Sequence, residues 1–470
     1  MAIVGGGLSG LAAAVQIHLR KPDWSIQVYE RSHRVGGVIQ TTNEGPFVID
    51  HGADMFATKP AGVLELVEKL GATDRLIEPK VEGRGAMLLH RGRLVDIPEG
   101  FVLMRATRYL PMLTTPLLSP LGKLRLMAEP MIWRRDEDSD ESVGDFVRRR
   151  LGGEVLDRLV GPLVAGIYTA DVDRLSMQAT MGPIRQMERK HGSLARATLR
   201  RKREGLDSTE RNTAGARYGQ FRAFRGGMQE LIDRLAAALP SGAIQLNTAV
   251  ETLTRASHDS PKRWQLTTVD GQSTSYDDVV VTIPAKPAAK LLRGVAHEAA
   301  TELEQIETAS TAIVVLVVKR QDIARPAGAF GFVVPPKEGR QILAGSFASE
   351  KFAGRAPEDH VIIRVFIGGV LQPELLEHDD DGLVRIATEE LADLIGLGGD
   401  PVINKVVRWN DAMPQYHVGH LHRVERIGND VRRHPGLWLH SASLDGVGIA
   451  PIISGAARLA EQFTQPGDAS

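Results

Sequence analysis

Residues Gly5-Gly6-Gly7-Leu8-Ser9-Gly10 form a G-x-G-x-x-G between an apolar strand, Ala2-Ile3-Val4, and an alanine-rich apolar helix from about Leu8 to Leu19. A strand running through bare glycines straight into a helix is compatible with few folds, chiefly a parallel β-α-β unit. Pro22 and Asp23 mark a turn, Ser25 to Tyr29 alternate as a second strand, and Glu30 follows, 25 residues after Gly5. Each position has a local reason. Gly5 permits the tight turn, Gly7 lets the backbone approach a pyrophosphate, and Gly10 lets helix and strand pack closely. The free N–H groups and dipole of the helix start, at Leu8 and Ser9, favour the pyrophosphate charge. Glu30 can accept hydrogen bonds from a ribose diol. The alternative is a glycine-rich turn without a ligand, but strand, helix and acid all fall in the dinucleotide order.

After Glu30 come Arg31 and then Arg34-Val35-Gly36-Gly37. An Arg-x-Gly-Gly here puts a cation and more bare backbone near the pyrophosphate; the alternative is a surface loop with a tight turn. A second complete fingerprint is absent, since Gly396-Leu397-Gly398-Gly399 runs into Asp400-Pro401. One nucleotide site suggests a flavoprotein that passes electrons to oxygen or another acceptor, not one charged by a pyridine nucleotide. The chain has no cysteine, which removes disulfides, thiolate metal sites, a Cys nucleophile and a flavin tethered through sulfur. That usage fits a reducing compartment.

The 470 residues suggest two or three domains. Lys plus Arg number 57 against 58 Asp plus Glu, which argues against a nucleic-acid partner. The first strand follows Met1 at once, so a cleavable leader is not expected, and no apolar run reaches the length of a membrane span. A cytoplasmic location is expected. Ala312 to Val318 reads as a buried strand. Phe101 to Arg135 sets Arg105, Arg108, Lys123, Arg125, Arg134 and Arg135 against a single acid, Glu129. Such helices either rest on an anionic membrane surface, shape the mouth of an apolar channel, or present a solvated basic face. Peripheral contact with the inner face of the cell membrane stays open, as does a homodimer. Asp136 to Glu141 reads as an acidic turn. Arg185 to Arg211, with nine basic and four acidic residues, reads as an exposed, partly disordered loop.

The chain resembles the flavin amine oxidase superfamily and, within it, the protoporphyrinogen and coproporphyrinogen oxidases. The general likeness lies in Gly5 to Gly10, Glu30, Arg34 to Gly37, Phe47-Val48-Ile49-Asp50-His51-Gly52-Ala53-Asp54, Val281-Thr282-Ile283-Pro284 and a C-terminal glycine segment. More specific are Gly161-Pro162-Leu163-Val164-Ala165-Gly166-Ile167-Tyr168-Thr169-Ala170-Asp171 with Leu175-Ser176-Met177, and Trp409 to His420. The family usually has Gly where Ala170 stands, and its eukaryotic members often carry Arg where this chain has Ala86.

The resemblance implies an α/β fold: a Rossmann-like FAD-binding domain (1–80, 215–290 and 430–466), a mixed-sheet substrate domain (81–100 and 291–429) and a helical insertion (101–214). One FAD is bound non-covalently. Ile244 to Val250 would return as a strand, with Val250 contacting the adenine. Leu437 to His440 looks like a strand leading into a turn, Ser441 to Gly448, and a helix, Ile452 to Phe463. Asp445, Gly446, Val447 and Gly448 would line the electron-rich edge of the isoalloxazine, with Trp409 either nearby or in the core. Gly166, Phe330, Val333 and Phe366 would form an apolar wall, with Lys59 and Arg84 as carboxylate anchors. The implied reaction is six-electron oxidation of a porphyrinogen in three two-electron steps, with oxygen reduced to hydrogen peroxide. The fourteen His are scattered and no side-chain base stands out; water or a main-chain carbonyl could take the proton. The rivals are an amine or amino-acid oxidase on the same fold and a flavin-binding interaction protein.

Overall fold

The computed structural model describes residues 1–102, 104–135, 139–204, 219–326 and 328–464. Its glycine loop emerges from a five-stranded parallel sheet in the order Ile244–Gln245, Gln27–Tyr29, Ala2–Val4, Val279–Val281, Leu437–Leu439. Three distant stretches of chain therefore build one layer. Helices Leu8–Arg20 and Ile449–Gln462 share an apolar core on one face. A three-stranded antiparallel sheet (Val250–Arg255, Trp264–Thr268, Ser273–Tyr276) and helices Ala285–Leu292, His297–Glu304 and His420–Arg432 cover the other. A parallel sheet buried on both faces needs continuous apolar strands, which Ala2-Ile3-Val4 and Val279-Val280-Val281 supply.

Two expectations change here. The second strand is shorter, Gln27–Tyr29. Ile244 to Val250 is not one strand: Ile244–Gln245 pairs with Val28 and Tyr29, the chain turns at Asn247 with φ +53°, and Val250 opens the three-stranded sheet. Asn tolerates that left-handed backbone better than most residues. The turn follows the end of the Gln27–Tyr29 strand, since Asn247 N donates to Ser32 O and Thr248 N to Glu30 O.

A seven-stranded mixed sheet forms the second layer, in the order Ile403–Pro414, Thr308–Lys319, His360–Gly368, Ala344–Phe347, Gly331–Val333, Met87–His90, Arg93–Asp96. Thr308–Lys319 contains the expected buried run and is buried on both faces. Val314, Leu316 and Val318 pack in a core with helix Asp380–Ile395. Ile313, Val315 and Val317 point the other way, toward Phe47 and Ile49 of a separate hairpin, Thr41–Glu44 with Phe47–Asp50. Period-two alternation thus gives one strand both cores.

Residues from Phe101 onward form a hairpin (Phe101–Val102 with Arg105–Ala106) and then helices with a core of their own, including Phe146, Val147 and Leu159. Arg185 to Glu204 is not an exposed loop. Arg185 lies in helix Met177–His191 and is 3% exposed, and helix Leu194–Arg203 follows. Residues 205–218 lie outside the described residues. The local excess of cations misled because it does not show which of them the fold buries beside carboxylates. Arg149 pairs with Glu141 at 2.7 Å and with Glu188 at 2.7 Å, Arg150 with Glu129, and Arg185 with Glu188. Asp136, Glu137 and Asp138 of the acidic turn are also outside the described residues; Asp140 accepts from Ser176 Oγ at 2.6 Å.

Candidate cofactor and substrate site

The fingerprint glycines divide by what surrounds them. A Cβ on Gly5 (φ +112°) would stand 2.8 Å from Ile283 Cγ2, one on Gly6 2.8 Å from Glu30 Cβ, and one on Gly10 1.8 Å from Gly5 O. These three close the strand-helix joint. Gly7 is different, since its nearest neighbour would be Gly37 Cα at 3.9 Å. Gly36 N donates to Gly6 O at 2.8 Å, so the two glycine loops lie side by side. Above Gly7 and Gly37 is open space, bordered by the N–H groups of Leu8 and Ser9 that the helix leaves without acceptors. Such a space could hold a pyrophosphate.

Glu30 is buried at the end of the second strand. One carboxylate oxygen accepts from Gly6 N at 2.7 Å, the other from Ser32 N at 2.9 Å and Ser32 Oγ at 2.7 Å. Remaining lone pairs can serve a ribose diol. Arg31 is exposed. Arg34 departs from expectation. Its guanidinium donates to the carbonyls of Val35 (3.0 Å), Ile39 (3.1 Å) and Gly37 (2.6 Å), so it fastens the Gly36–Gly37 loop. Val250 lies half-buried, two residues after Thr248, which bonds to Glu30.

The C-terminal turn holds a short helix, Ala442–Asp445, capped by Ser441, then Gly446 (φ +117°) and Gly448 (φ +106°). The long helix starts at Ile449, earlier than expected. Asp445 turns inward to brace the turn, meeting His440 Nδ1 at 2.8 Å and accepting from Ser441 N at 3.2 Å. Val447 packs with the cluster that contains Tyr416, whose hydroxyl donates to Ala442 O. Neither His440 nor Tyr416 carries a sequence signal for these roles.

Beyond Val38 the cradle meets the larger sheet. A Cβ on Gly52 would stand 2.3 Å from Trp409 Cζ2 and 3.0 Å from Val38 O, so Trp409, half-buried, rests on this glycine beside the second loop. Arg364 donates to Gly52 O and pairs with Asp54 at 2.9 Å; Lys351 pairs with the same Asp54 oxygen at 2.8 Å. Sequence reasoning missed these two cations, because nothing local links them to Asp54.

Val407, Ile313, Phe366, Ala344 and Val333 occupy one cross-strand row on the face that packs against Phe47 and Ile49. Val333 and Phe366 are half-buried, and exposed Gly166 lies over Val333, whose Cγ1 would be 3.2 Å from a Cβ there. Phe330 does not join them. It is 1% exposed and three residues out of phase with Val333, so it is sealed in the core. Lys59 is exposed. Arg84 donates to Lys80 O at 2.6 Å and Pro79 O at 2.8 Å, and its Nη1 flanks Gly219. Arg222, a cation that sequence reasoning missed, donates to Gly219 O at 2.9 Å and pairs with Glu78 at 2.7 Å. Thr58 N donates to Gln220 O, which places Lys59 at the same rim.

No group of His, Cys, Asp and Glu able to hold a metal occurs among the described residues. His51 is held neutral near neutral pH: burial first, then Lys405, Arg34 and Arg364, lower its pKa to about 4. An open glycine cradle beside buried Glu30, with a broad apolar row on the neighbouring seven-stranded sheet, suits an FAD-dependent oxidoreductase.

The chain belongs to the flavin containing amine oxidoreductase family, whose sequence profile matches residues 8–437. It is 31% identical over 468 residues to the coproporphyrinogen III oxidase of Bacillus subtilis (strain 168), covering 98% of this chain and 97% of that protein. It is 34% identical to the coproporphyrinogen III oxidase of Propionibacterium freudenreichii subsp. freudenreichii, covering 98% and 90%. Among solved structures, a protein from Exiguobacterium sp. 255-15 assigned as a protoporphyrinogen oxidase superposes with a TM-score of 0.86 at 30% identity, covering 98% of both chains.

Proposed function

We propose that this protein oxidises a porphyrinogen, with coproporphyrinogen III as the preferred substrate, to the corresponding porphyrin of haem biosynthesis. The observation that carries the reading is the apolar row from Val407 to Val333, which adjoins the cradle through Trp409 and Gly52 and ends at a rim bearing Lys59, Arg84 and Arg222. A flexible macrocycle with carboxylates on its edge needs such a wall and such cations. Support for four carboxylates over two comes from the names of the two bacterial relatives. FAD in the cradle would supply two-electron acceptor chemistry with oxygen as the final acceptor, and six electrons from one porphyrinogen balance three oxygen molecules reduced to hydrogen peroxide. The residues of this chain orient the substrate: Phe366, Val333 and Gly166 would hold its apolar face, and the rim cations its carboxylates. Gly5, Gly7, Leu8, Ser9, Gly10, Glu30, Gly36, Gly37 and Val250 would hold the nucleotide, with Arg34 fixing the second loop, and Trp409 and Asp445 to Gly448 would border the ring system. Aerobic incubation with coproporphyrinogen III and protoporphyrinogen IX in parallel, read by porphyrin fluorescence, tests this. Turnover of coproporphyrinogen III with amines inert supports it; amine oxidation without porphyrin overturns it.

The finer part of the reading is peripheral membrane contact. No helix among the described residues is long and apolar enough to cross a membrane. Yet Trp133 is 90% and Met131 81% exposed, with Leu110, Leu121 and Leu124 exposed nearby. An apolar groove of about 860 Å³ lined by Tyr109, Leu110, Pro111 and Leu199 lies in the same insertion, beside Arg196 and Lys202. Apolar side chains ringed by cations suit an anionic lipid surface.

A further inference from the structure

Asp54 receives two cations and neutralises one. Lys351 Nζ and Arg364 Nη1 both reach its Oδ2, at 2.8 and 2.9 Å, and all three side chains are 10% exposed or less. The neighbouring charges do not correct the imbalance. Arg355 pairs with Asp50 at 3.2 Å, Lys405 pairs with Glu44 at 2.6 Å, and His51 is neutral. Lys80 adds to the excess, as its Nζ donates to Ser349 O at 3.0 Å, two residues before Lys351. A buried surplus cation costs several kcal/mol unless an anion is brought to it. Arg364 Nε, moreover, is buried without a hydrogen-bond partner.

The cluster lies at a definable place along the cofactor path. Glu30 marks the ribose end through its bond to Gly6 N. Gly7 and Gly37 mark the pyrophosphate, and Val38 O lies 3.0 Å from the Cβ position of Gly52. Gly52 in turn carries Trp409 against its Cα and Arg364 on its carbonyl. Past the pyrophosphate, FAD continues through its ribityl chain to the ring system. We propose that the Lys351–Asp54–Arg364 cluster faces the ring end of bound FAD with one uncompensated positive charge and thereby raises its electron affinity. Lys351 and Arg364 act through the Gly52–Asp54 segment and are positioning residues. A reduced flavin gathers negative charge, and a buried cation is screened little by solvent. The inference rests on the FAD assignment and not on the identity of the porphyrinogen.

The test is the two-electron reduction potential of the FAD-loaded protein, measured by dye equilibration with no porphyrinogen present. Lys351→Met should weaken the reduction equilibrium by about tenfold, which for a two-electron couple is about 30 mV. Asp54→Asn should strengthen it in the opposite direction. The double variant Lys351→Met/Asp54→Asn, which restores one net charge, should return close to the parent value. FAD absorbance and the melting temperature of each variant report whether the cradle is intact. If Asp54→Asn or Lys351→Met does not retain FAD, Lys351→Gln and Arg364→Lys, the latter keeping the parent potential, take their place. An unchanged potential in a flavin-loaded Lys351→Met or Lys351→Gln protein overturns the proposal, as does a double variant no closer to the parent than the single one. Because no substrate is used, a negative result leaves the porphyrinogen assignment untouched.

Discussion

Gly10 and Gly5 are in such close register that a Cβ on Gly10 would stand 1.8 Å from the Gly5 carbonyl oxygen. The strand-helix joint therefore tolerates no side chain at Gly10. At Gly7, by contrast, the protein leaves the space open. Gly7→Val should fold normally and lack the yellow cofactor, since its side chain occupies only the cradle. Gly10→Ala should lose about 3 kcal/mol or more, as overpacking against backbone does. Thermal unfolding and flavin absorbance of both proteins check this; a fully yellow Gly7→Val protein would contradict the cradle.

Phe366 and Phe330 should separate in the same way. Phe366→Ala is expected to raise the KM for porphyrinogen while the bound flavin spectrum stays unchanged. Phe330→Ala empties a sealed core site and should cost about 3–5 kcal/mol. Steady-state kinetics and denaturant unfolding distinguish wall from core, and unchanged kinetics would remove Phe366 from the wall.

His420 makes stability depend on pH. It is 1% exposed and stacked on Tyr416 with ring centroids 4.1 Å apart. Burial first, then Arg423 and His417, lower its pKa to about 4 from the usual 6.5. Between those values the unfolded chain holds the proton and the folded chain does not, so stability falls as pH drops from 6.5 toward 4. The slope is at most about 1.4 kcal/mol per pH unit for this group. His51 acts in the same window and the same direction. His420→Phe keeps the stacking and should flatten the dependence of melting temperature on pH between 4 and 6.5; a slope equal to the parent's would exclude His420 as its source.

Arg150 is fully buried among Glu129, Glu188 and the carbonyl of Ile132. Arg150→Met leaves two buried carboxylates short of a partner and should cost about 3–5 kcal/mol. Limited proteolysis should then cut within the helical insertion before the glycine-loop layer, and a parent-like melting temperature would show the network to be dispensable.

For the insertion surface, vesicles of phosphatidylglycerol should carry the protein upward in flotation while phosphatidylcholine vesicles should not. Leu121→Glu with Trp133→Glu should abolish flotation and leave porphyrinogen turnover in solution intact. Equal flotation with both lipids, or none with either, would remove the anionic-membrane reading.

The strand, glycine turn, helix and second strand at the start of the chain were legible because their determinants are local. Turn, helix start and ribose acid occupy 26 consecutive positions, Gly5 to Glu30, and each obeys rules that act between near neighbours. The buried strand at Ala312 to Val318 was legible for the same reason. What misled the sequence reading were residues whose surroundings in the fold the local pattern does not reveal. Arg34 serves its own loop, Phe330 belongs to the opposite phase from Val333, and Arg185 is neutralised from within a buried network.

By itself the amino-acid order determined the strand, glycine turn and helix from Ala2 to Arg20, since bare backbone and apolar patterning are properties of the local chain. Only the tertiary structure decided which cations gather around Asp54, which aromatic face is open and which is sealed. Those outcomes depend on segments far apart in sequence meeting in space, as Asp54 does with Lys351, 297 residues away, and no short window of sequence contains that information.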